Sequence, residues 1–297
     1  MTGITLVLGG GGFKGLAHLG VLCALEDAGV SVERVVGSSA GALIGACYCA
    51  HETAADANEL VMSFVGSEAF QKHSFEGLPG AGDATGGSLV SRILTGIKRQ
   101  VAMERMYRRS SAFGGAALRF IVRSLVPKGE VQDLAKPLAI CALDLVRGEE
   151  TLITRGNLAS AVVASSSVPG YFPPVEREGT LLCDPGIVNN LPTQLARSLG
   201  ASAVVAVDLS AGLSPVEKAP LEMVGIDVLF RAQDVTTRLA NRRYARHADV
   251  VVAPELGGRS WLDASDPEWI VAAGREATER VMPSVKRLLE GSERAAG

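Results

Sequence analysis

Three short segments carry residues that could do covalent chemistry together. Ser39 sits in Val35-Val36-Gly37-Ser38-Ser39-Ala40-Gly41-Ala42-Leu43, a β-branched run, a turn and an apolar run. Gly37-x-Ser39-x-Gly41 matches the strand–turn–helix elbow that presents a serine hydroxyl at the end of a strand. Such a turn is strained, and larger residues two before or two after the serine would strike the strand and the helix. At the head of a helix over 40–50, an alkoxide forming on Ser39 is favoured by the helix dipole. The Ala40 N–H is placed to help hold an oxyanion. The plainer reading makes Ser39 a helix N-cap. Ser38 is the rival nucleophile, but its flanks do not fit the pattern.

Gly9-Gly10-Gly11-Gly12-Phe13-Lys14-Gly15 follows an apolar strand and precedes a helical pattern. Glycines at a strand-to-helix turn let backbone N–H groups face a cavity with no Cβ in the way, which suits an anion. Gly10-x-Gly12-x-x-Gly15 also satisfies a dinucleotide fingerprint. That reading needs an acid at the end of the second strand, where this chain has Gly37-Ser38-Ser39; Glu33 precedes the strand. A nucleotide phosphate loop needs Gly-Lys-Ser/Thr, which is missing. An oxyanion hole built from Gly10, Gly11, Gly12 and Ala40 needs a nucleophile nearby, and Ser39 supplies one.

The serine needs a base. A Ser-His-Asp arrangement calls for a late histidine, and the chain has only His18, His51, His73 and His247. His247 alone is late, and no glycine-rich loop presents it. An aspartate within hydrogen-bond reach can serve instead. Asp184 opens Asp184-Pro185-Gly186-Ile187-Val188-Asn189-Asn190-Leu191-Pro192 directly after an apolar strand, where α/β folds place their sites. Asp144 and Asp208 also end strands but with less turn chemistry, and they read as structural. For Asp184 the plainer reading is a turn or capping aspartate.

These segments need a scaffold that brings strand ends together. Short β-branched runs alternate with helical patterns, as in an α/β fold with a mostly parallel sheet covered on both faces. The strands expected are 4–8, 34–37, 136–144, 150–154, 180–183, 203–208 and 249–253. The helices expected are 14–29, 40–50, 54–65, 157–165, 191–199, 221–245 and 267–290. With 297 residues, 47% of them hydrophobic, the chain can bury the core of one domain, 1–297. Within it, 66–130 breaks the rhythm as a helical, lid-like insertion, and 256–297 forms a C-terminal helical segment.

Charge and cysteine use narrow the function classes. The net charge is −3 and charged residues make up 21%, which argues against a disordered acidic chain and against nucleic acid as a partner. From Arg92 to Lys128 nine Lys or Arg face Glu104 alone, so this stretch carries +8 and the rest −11. Such asymmetry suits an anionic partner such as a membrane surface, or simply a solvated insertion. The five cysteines, Cys23, Cys47, Cys49, Cys141 and Cys183, lack zinc-ligand spacing and read as buried thiols of a reducing compartment. The N-terminus enters a strand at once, without a signal-peptide pattern, and neither long uncharged run (35–50, 156–175) reads as a membrane span. A cytoplasmic location follows as the expectation, with peripheral contact at the inner membrane face through 92–128.

Four motifs, in order, resemble the patatin-like phospholipases, and bacterial members above all. They are Gly9 to Leu22, Gly37-Ser38-Ser39-Ala40-Gly41-Ala42-Leu43, Ala164-Ser165-Ser166-Ser167-Val168-Pro169-Gly170-Tyr171-Phe172-Pro173-Pro174-Val175, and Asp184-Pro185-Gly186 with Asn189-Asn190-Leu191-Pro192. The resemblance covers about residues 3–65 and 136–255. It implies a three-layer α/β/α fold, a Ser39–Asp184 dyad, and hydrolysis of a lipid ester or phospholipid without cofactor or metal. Gly37, Gly41, Lys14, Gly15 and Gly186 would support the site. Two departures stand out: Lys14 where the family usually has arginine, and Pro185 where it has glycine. A non-catalytic lipid- or acyl-ligand-binding protein on the same fold is the alternative, and a dinucleotide-dependent oxidoreductase comes third.

Overall fold

The computed structural model describes residues 3–72, 111, 113–210 and 225–296. Its centre is an eight-stranded sheet. The strands are β1 (Ile4–Leu8), β2 (Val32–Ser38), β3 (Leu138–Asp144), β4 (Glu149–Ile153), β5 (Val175–Arg177), β6 (Thr180–Cys183), β7 (Val204–Val207) and β8 (Val250–Val252). The path runs β5-β6-β3-β2-β1-β7-β8, and β4 pairs with β3 off that path. The pairs β3–β2, β2–β1, β1–β7 and β7–β8 are parallel, whereas β3–β4, β3–β6 and β5–β6 are antiparallel. The sheet is therefore mixed, with a parallel centre and an antiparallel margin.

One register decides where the site forms. Ile140 of β3 pairs with Gly37 on one edge and with Ile153 on the other. Leu143 pairs with Cys183 on one edge and with Glu150 on the other. Because Ile153 and Glu150 both belong to β4, the strands β2 and β6 share the opposite edge. The strand β2 runs parallel to β3 and β6 antiparallel, so their ends point at each other. The residues that follow those ends are Ser39 and Asp184.

Strand alternation divides the apolar side chains between two cores. Leu6, Leu8, Val35, Ile140, Val205 and Val252 face the larger core. It is built with α1 (Ala17–Asp27), α2 (Ala40–Cys49), α3 (Ala54–Val65), α5 (Ala116–Leu125), α6 (Leu158–Ser165) and α9 (Pro267–Ala296). The short helix α4 (Glu68–Lys72) follows α3. Val7, Val36, Ala139, Val204 and Ala206 face a smaller core closed by α7 (Thr193–Ser198) and by Tyr244, the last residue of α8 (Gly225–Tyr244). Helices thus cover both faces, giving the expected three layers.

The expected elements mostly recur, with corrections of physical origin. The helix expected from residue 14 begins only at Ala17, after a 3-10 turn over Gly12–Leu16 in which the Phe13 N–H is tied to the Trp261 carbonyl (2.8 Å). The three-residue β5 had no place among the expected elements, and α5 was covered only by the expectation of a helical insertion over 66–130. β5 lacks an apolar run and exists only as the hairpin partner of β6. Of the insertion at 66–130, residues 73–110 and 112 lie outside the described residues, and so do 221–224 of the expected helix 221–245. The C-terminal helix α9 is no appendage, since it packs along α1 at backbone distance. A Cβ at Gly274 would meet the Ala17 carbonyl, and one at Gly20 would meet the Val271 carbonyl.

Gly274→Val should therefore overpack this contact, costing about 1–3 kcal/mol and lowering the thermal midpoint by roughly 3–10 °C. Gly291→Ala, where nothing lies within 4 Å, should leave the midpoint unchanged or raise it. Equal midpoints for Gly274→Val and wild type in a thermal melt would contradict the backbone contact.

Candidate active site

Ser39 occupies the turn between β2 and α2 with φ 52 and ψ −119, a region that a non-glycine residue visits only when its surroundings hold it there. Its neighbours explain the glycines. A Cβ on Gly37 would lie 2.6 Å from the Gly41 carbonyl, one on Gly41 would run into the Leu8 carbonyl, and one on Gly15 would lie 2.6 Å from Ala40 Cβ. Each glycine is a point where two backbones or a backbone and a small side chain touch. The Ser39 N–H donates to Ser165 Oγ (2.9 Å), whose hydroxyl in turn donates to the Cys141 carbonyl (2.6 Å). Ser165 thereby bridges the elbow to β3.

Asp184 is 4% exposed and begins a 3-10 turn over Pro185–Ile187. Its Oδ1 accepts from the Gly186 N–H (2.8 Å). Pro185 fits this turn, because it takes the first position, where no N–H is needed and its fixed φ is already suitable. Gly186 fits because a Cβ there would lie 2.9 Å from Oδ1. Burial pushes the Asp184 carboxyl up to about 6, opposed by hydrogen bonding to the Ser39 side chain and to the Gly186 N–H. The contact with Ser39 is loose, since Oδ2 has no partner of full hydrogen-bond geometry. Loose catalytic contacts are usual in an unliganded site. The Asp184 N–H donates to the Ser167 carbonyl (3.0 Å), so the serine run 165–167 holds both Ser39 and Asp184.

The glycine loop lies beside them. Gly10 is clamped to Asn190 in both directions: its N–H donates to the Asn190 carbonyl (3.0 Å), and Asn190 Nδ2 donates to the Gly10 carbonyl (2.9 Å). The Gly10 N–H is thus already engaged, which corrects its expected part as an oxyanion donor. What Gly10 supplies is space, since a Cβ there would run into Asn190 Oδ1 and lie 3.0 Å from Ser39 Cβ. The N–H groups of Gly11, Gly12 and Ala40 have no hydrogen-bond partner among the described residues, and all three residues line the cavity. Asn190 and Ser165 are the site residues that spacing did not single out; only their membership in the motifs hinted at them.

Ser39, Asp184, Gly11, Gly12 and Ala40 open into one cavity of about 550 Å³. Its walls are largely apolar, and include Leu43, Ile44 and Phe64 together with Leu118, Ile121 and Leu125 of α5. Tyr171 meets Trp261 edge-on at 5.1 Å. Lys14 also lines the cavity. Burial draws its ammonium below the ordinary value, opposed by the carboxylates of Asp234 and Asp208.

No described histidine lines this cavity. His18 is fully buried behind the glycine loop, where its Nε2 bonds the Gly9 carbonyl (2.8 Å), and burial lowers it to about 4, so it is neutral. His51 bonds the Cys47 carbonyl (2.7 Å), and His73 lies outside the described residues. Asp144 and Asp208 spend their carboxylates on turns. Asp144 Oδ1 accepts from the N–H groups of Val146 and Arg147, and Asp208 Oδ1 from Ser210 and Asn241. Among the described residues no group of three or more His, Cys, Asp or Glu is placed to hold a metal.

The family described as patatin-like phospholipase matches residues 6–197. Patatin-like phospholipase domain-containing protein 6 of Homo sapiens is 32% identical over 208 residues, covering 69% of this chain and 13% of that protein. An uncharacterized NTE family protein of Mycobacterium tuberculosis is 27% identical over 299 residues, covering 93% of this chain and 46% of that protein. The chain thus spans only part of the length of these curated relatives. The crystal structure of VipD from Legionella pneumophila shares the fold, with a TM-score of 0.52 at 16% identity over 96% of this chain and 67% of that one. The matched stretch runs from β1 through the elbow, the serine run and the Asp184 loop to α7, and the chain belongs to the patatin-like phospholipase family.

Proposed function

We propose that this protein is a serine carboxylic-ester hydrolase acting on lipid esters of the phospholipase A or lysophospholipase type, with Ser39 as nucleophile and Asp184 as base. The observation that carries the reading is the approach of a strained serine to a buried carboxylate of raised pKa, beside uncommitted backbone N–H groups, in an apolar cavity. Relatives named phospholipase and neuropathy target esterase support ester hydrolysis.

The steps follow from the groups present. Asp184 takes the Ser39 proton as Oγ attacks the ester carbonyl carbon. The N–H groups of Gly11, Gly12 and Ala40 hold the tetrahedral oxyanion. The tetrahedral intermediate collapses, its C–O bond breaks, and the proton on Asp184 passes to the leaving alcohol. Water then attacks the acyl-enzyme, giving its proton to Asp184, and the collapse of the second intermediate returns that proton to Ser39 as the fatty acid leaves. The raised pKa makes Asp184 a stronger base than an exposed aspartate, while leaving it ionised at neutral pH.

In the same reading the apolar cavity takes the acyl chain, and the helical insertion 66–130, through α5, forms part of its wall. Peripheral membrane contact through 92–128 belongs to it as well. No helix among the described residues is long and apolar enough to cross a membrane. Five free cysteines support a reducing, cytoplasmic setting.

Hydrolysis of p-nitrophenyl butyrate and of lysophospholipid should vanish in Ser39→Ala and fall by about 10²–10⁴-fold in Asp184→Asn. Activity surviving Ser39→Ala in a steady-state assay would assign the wrong nucleophile. For wild type, kcat/KM should fall about tenfold per pH unit below about pH 6, as Asp184 takes up a proton; a flat profile down to pH 5 would exclude Asp184 as the base. Stability should move oppositely. The folded carboxyl binds its proton more tightly than the unfolded one, so this group's penalty grows as pH rises from 3.8 to about 6 and is fully present above that. Asp184→Asn removes the penalty, at most about 3 kcal/mol. Calorimetry at pH 7 should therefore find the inactive variant no less stable than wild type.

A further inference from the structure

Helix α8 carries exposed apolar side chains on its outer face. A surface helix turns its apolar stripe to the core and its polar face to water. Among its described side chains, three on the inward face of α8 make polar contacts. Thr237 Oγ1 donates to the Gly186 carbonyl (2.9 Å), Asn241 Nδ2 to the Asp208 carboxylate (2.7 Å) and the Tyr244 hydroxyl to the Glu150 carboxylate (3.3 Å). Its outward face carries Val228, Ala232, Val235 and Leu239, spaced i, i+4, i+7 and i+11. Val228 is 51% exposed, Val235 39% and Leu239 52%, and the neighbouring Leu229 is 67% exposed.

Charge accompanies the stripe. From Arg231 to Arg246 there are five arginines and one acid, Asp234, and Arg242, Arg243 and Arg246 are exposed. Apolar side chains facing solvent, with arginines at the end of the same helix and in the turn after it, suit a helix lying in the plane of a lipid interface. There the apolar stripe enters the acyl boundary and the guanidinium groups meet anionic headgroups.

We propose that the outward face of α8 docks this protein on an anionic lipid surface. The inward face of the same helix lines the cavity through Gln233 and Thr237, and Thr237 is bonded to the loop that carries Asp184. Cavity wall and docking surface are two faces of one element, so docking places the cavity one helix away from the source of lipid. The purpose of docking rests on the lipid-ester reading above; the docking itself does not involve Ser39.

The test uses the full chain carrying Ser39→Ala, so that no lipid is consumed, sedimented with phosphatidylcholine vesicles with and without phosphatidylglycerol. Binding should require phosphatidylglycerol and weaken with added salt. Val235→Asp/Leu239→Asp should lower the partition coefficient more than tenfold, and Arg242→Gln/Arg243→Gln roughly fivefold per arginine. Thermal midpoints verify folding, and if the aspartate pair unfolds, Val235→Ser/Leu239→Ser carries the same expectation. No preference for anionic vesicles, or equal binding by wild type and both variants, would overturn the proposal. So would a dimer in analytical ultracentrifugation that the stripe variant dissolves while vesicles go unbound, since the stripe would then be a subunit contact. Failure of the hydrolase reading would show only in the activity of protein that retains Ser39.

Discussion

The site depends on two strands running head-on along one edge of a third. β2 and β6 share that edge of β3 in opposite directions, and the gap between their ends is where Ser39 and Asp184 meet. Neither residue could be moved by one position without losing the other, because register along β3 fixes both. The strain at Ser39 is tolerated because the surrounding contacts leave no alternative. Gly37, Gly41 and Gly15 bring backbone against backbone, and Ser165 ties the Ser39 N–H to β3. The serine run 165–167 then spans the gap, with one member on each partner.

From that meeting point the electrostatics follow. Asp184 is buried with a single backbone N–H on Oδ1, so its charge is poorly compensated and its pKa rises. A carboxylate satisfied by two or three donors would be a weaker base. Asp144 shows the contrast within the same sheet: the Thr180 hydroxyl and the turn N–H groups hold its carboxyl below the ordinary range. The fold thus holds one strand-end aspartate below the ordinary carboxylate range and pushes the other above it. That choice costs stability at Asp184, which the two cores on either side of the sheet can offset.

Much of this was legible in the residues. Ser39, Gly37 and Gly41 were marked by local spacing, and Asp184 by the turn chemistry after a strand and by the lack of a suitable histidine. These signals are local, and a strained turn needs small residues wherever it occurs. The rest depends on contacts distant in sequence. Asn190 engages Gly10 across 180 residues and Ser165 engages Ser39 across 126, so no spacing rule could reveal that the Gly10 N–H is taken. The antiparallel margin of the sheet was hidden because the runs 150–154 and 180–183 read as strands without a direction, and β5 is three residues long with no apolar run of its own. For α8 the helical pattern was readable, but which face turned inward was decided by Thr237, Asn241 and Tyr244 finding partners on three other elements.

The most direct test of the central claim, that Asp184 activates Ser39, is the rate of covalent labelling by a small fluorophosphonate, followed by peptide mass spectrometry across pH. The account predicts one adduct per chain, on Ser39, with a rate that falls below about pH 6 and collapses in Asp184→Asn although that variant stays folded. An adduct on Ser38 or elsewhere, or labelling of Ser39 that is indifferent to Asp184→Asn, would contradict it.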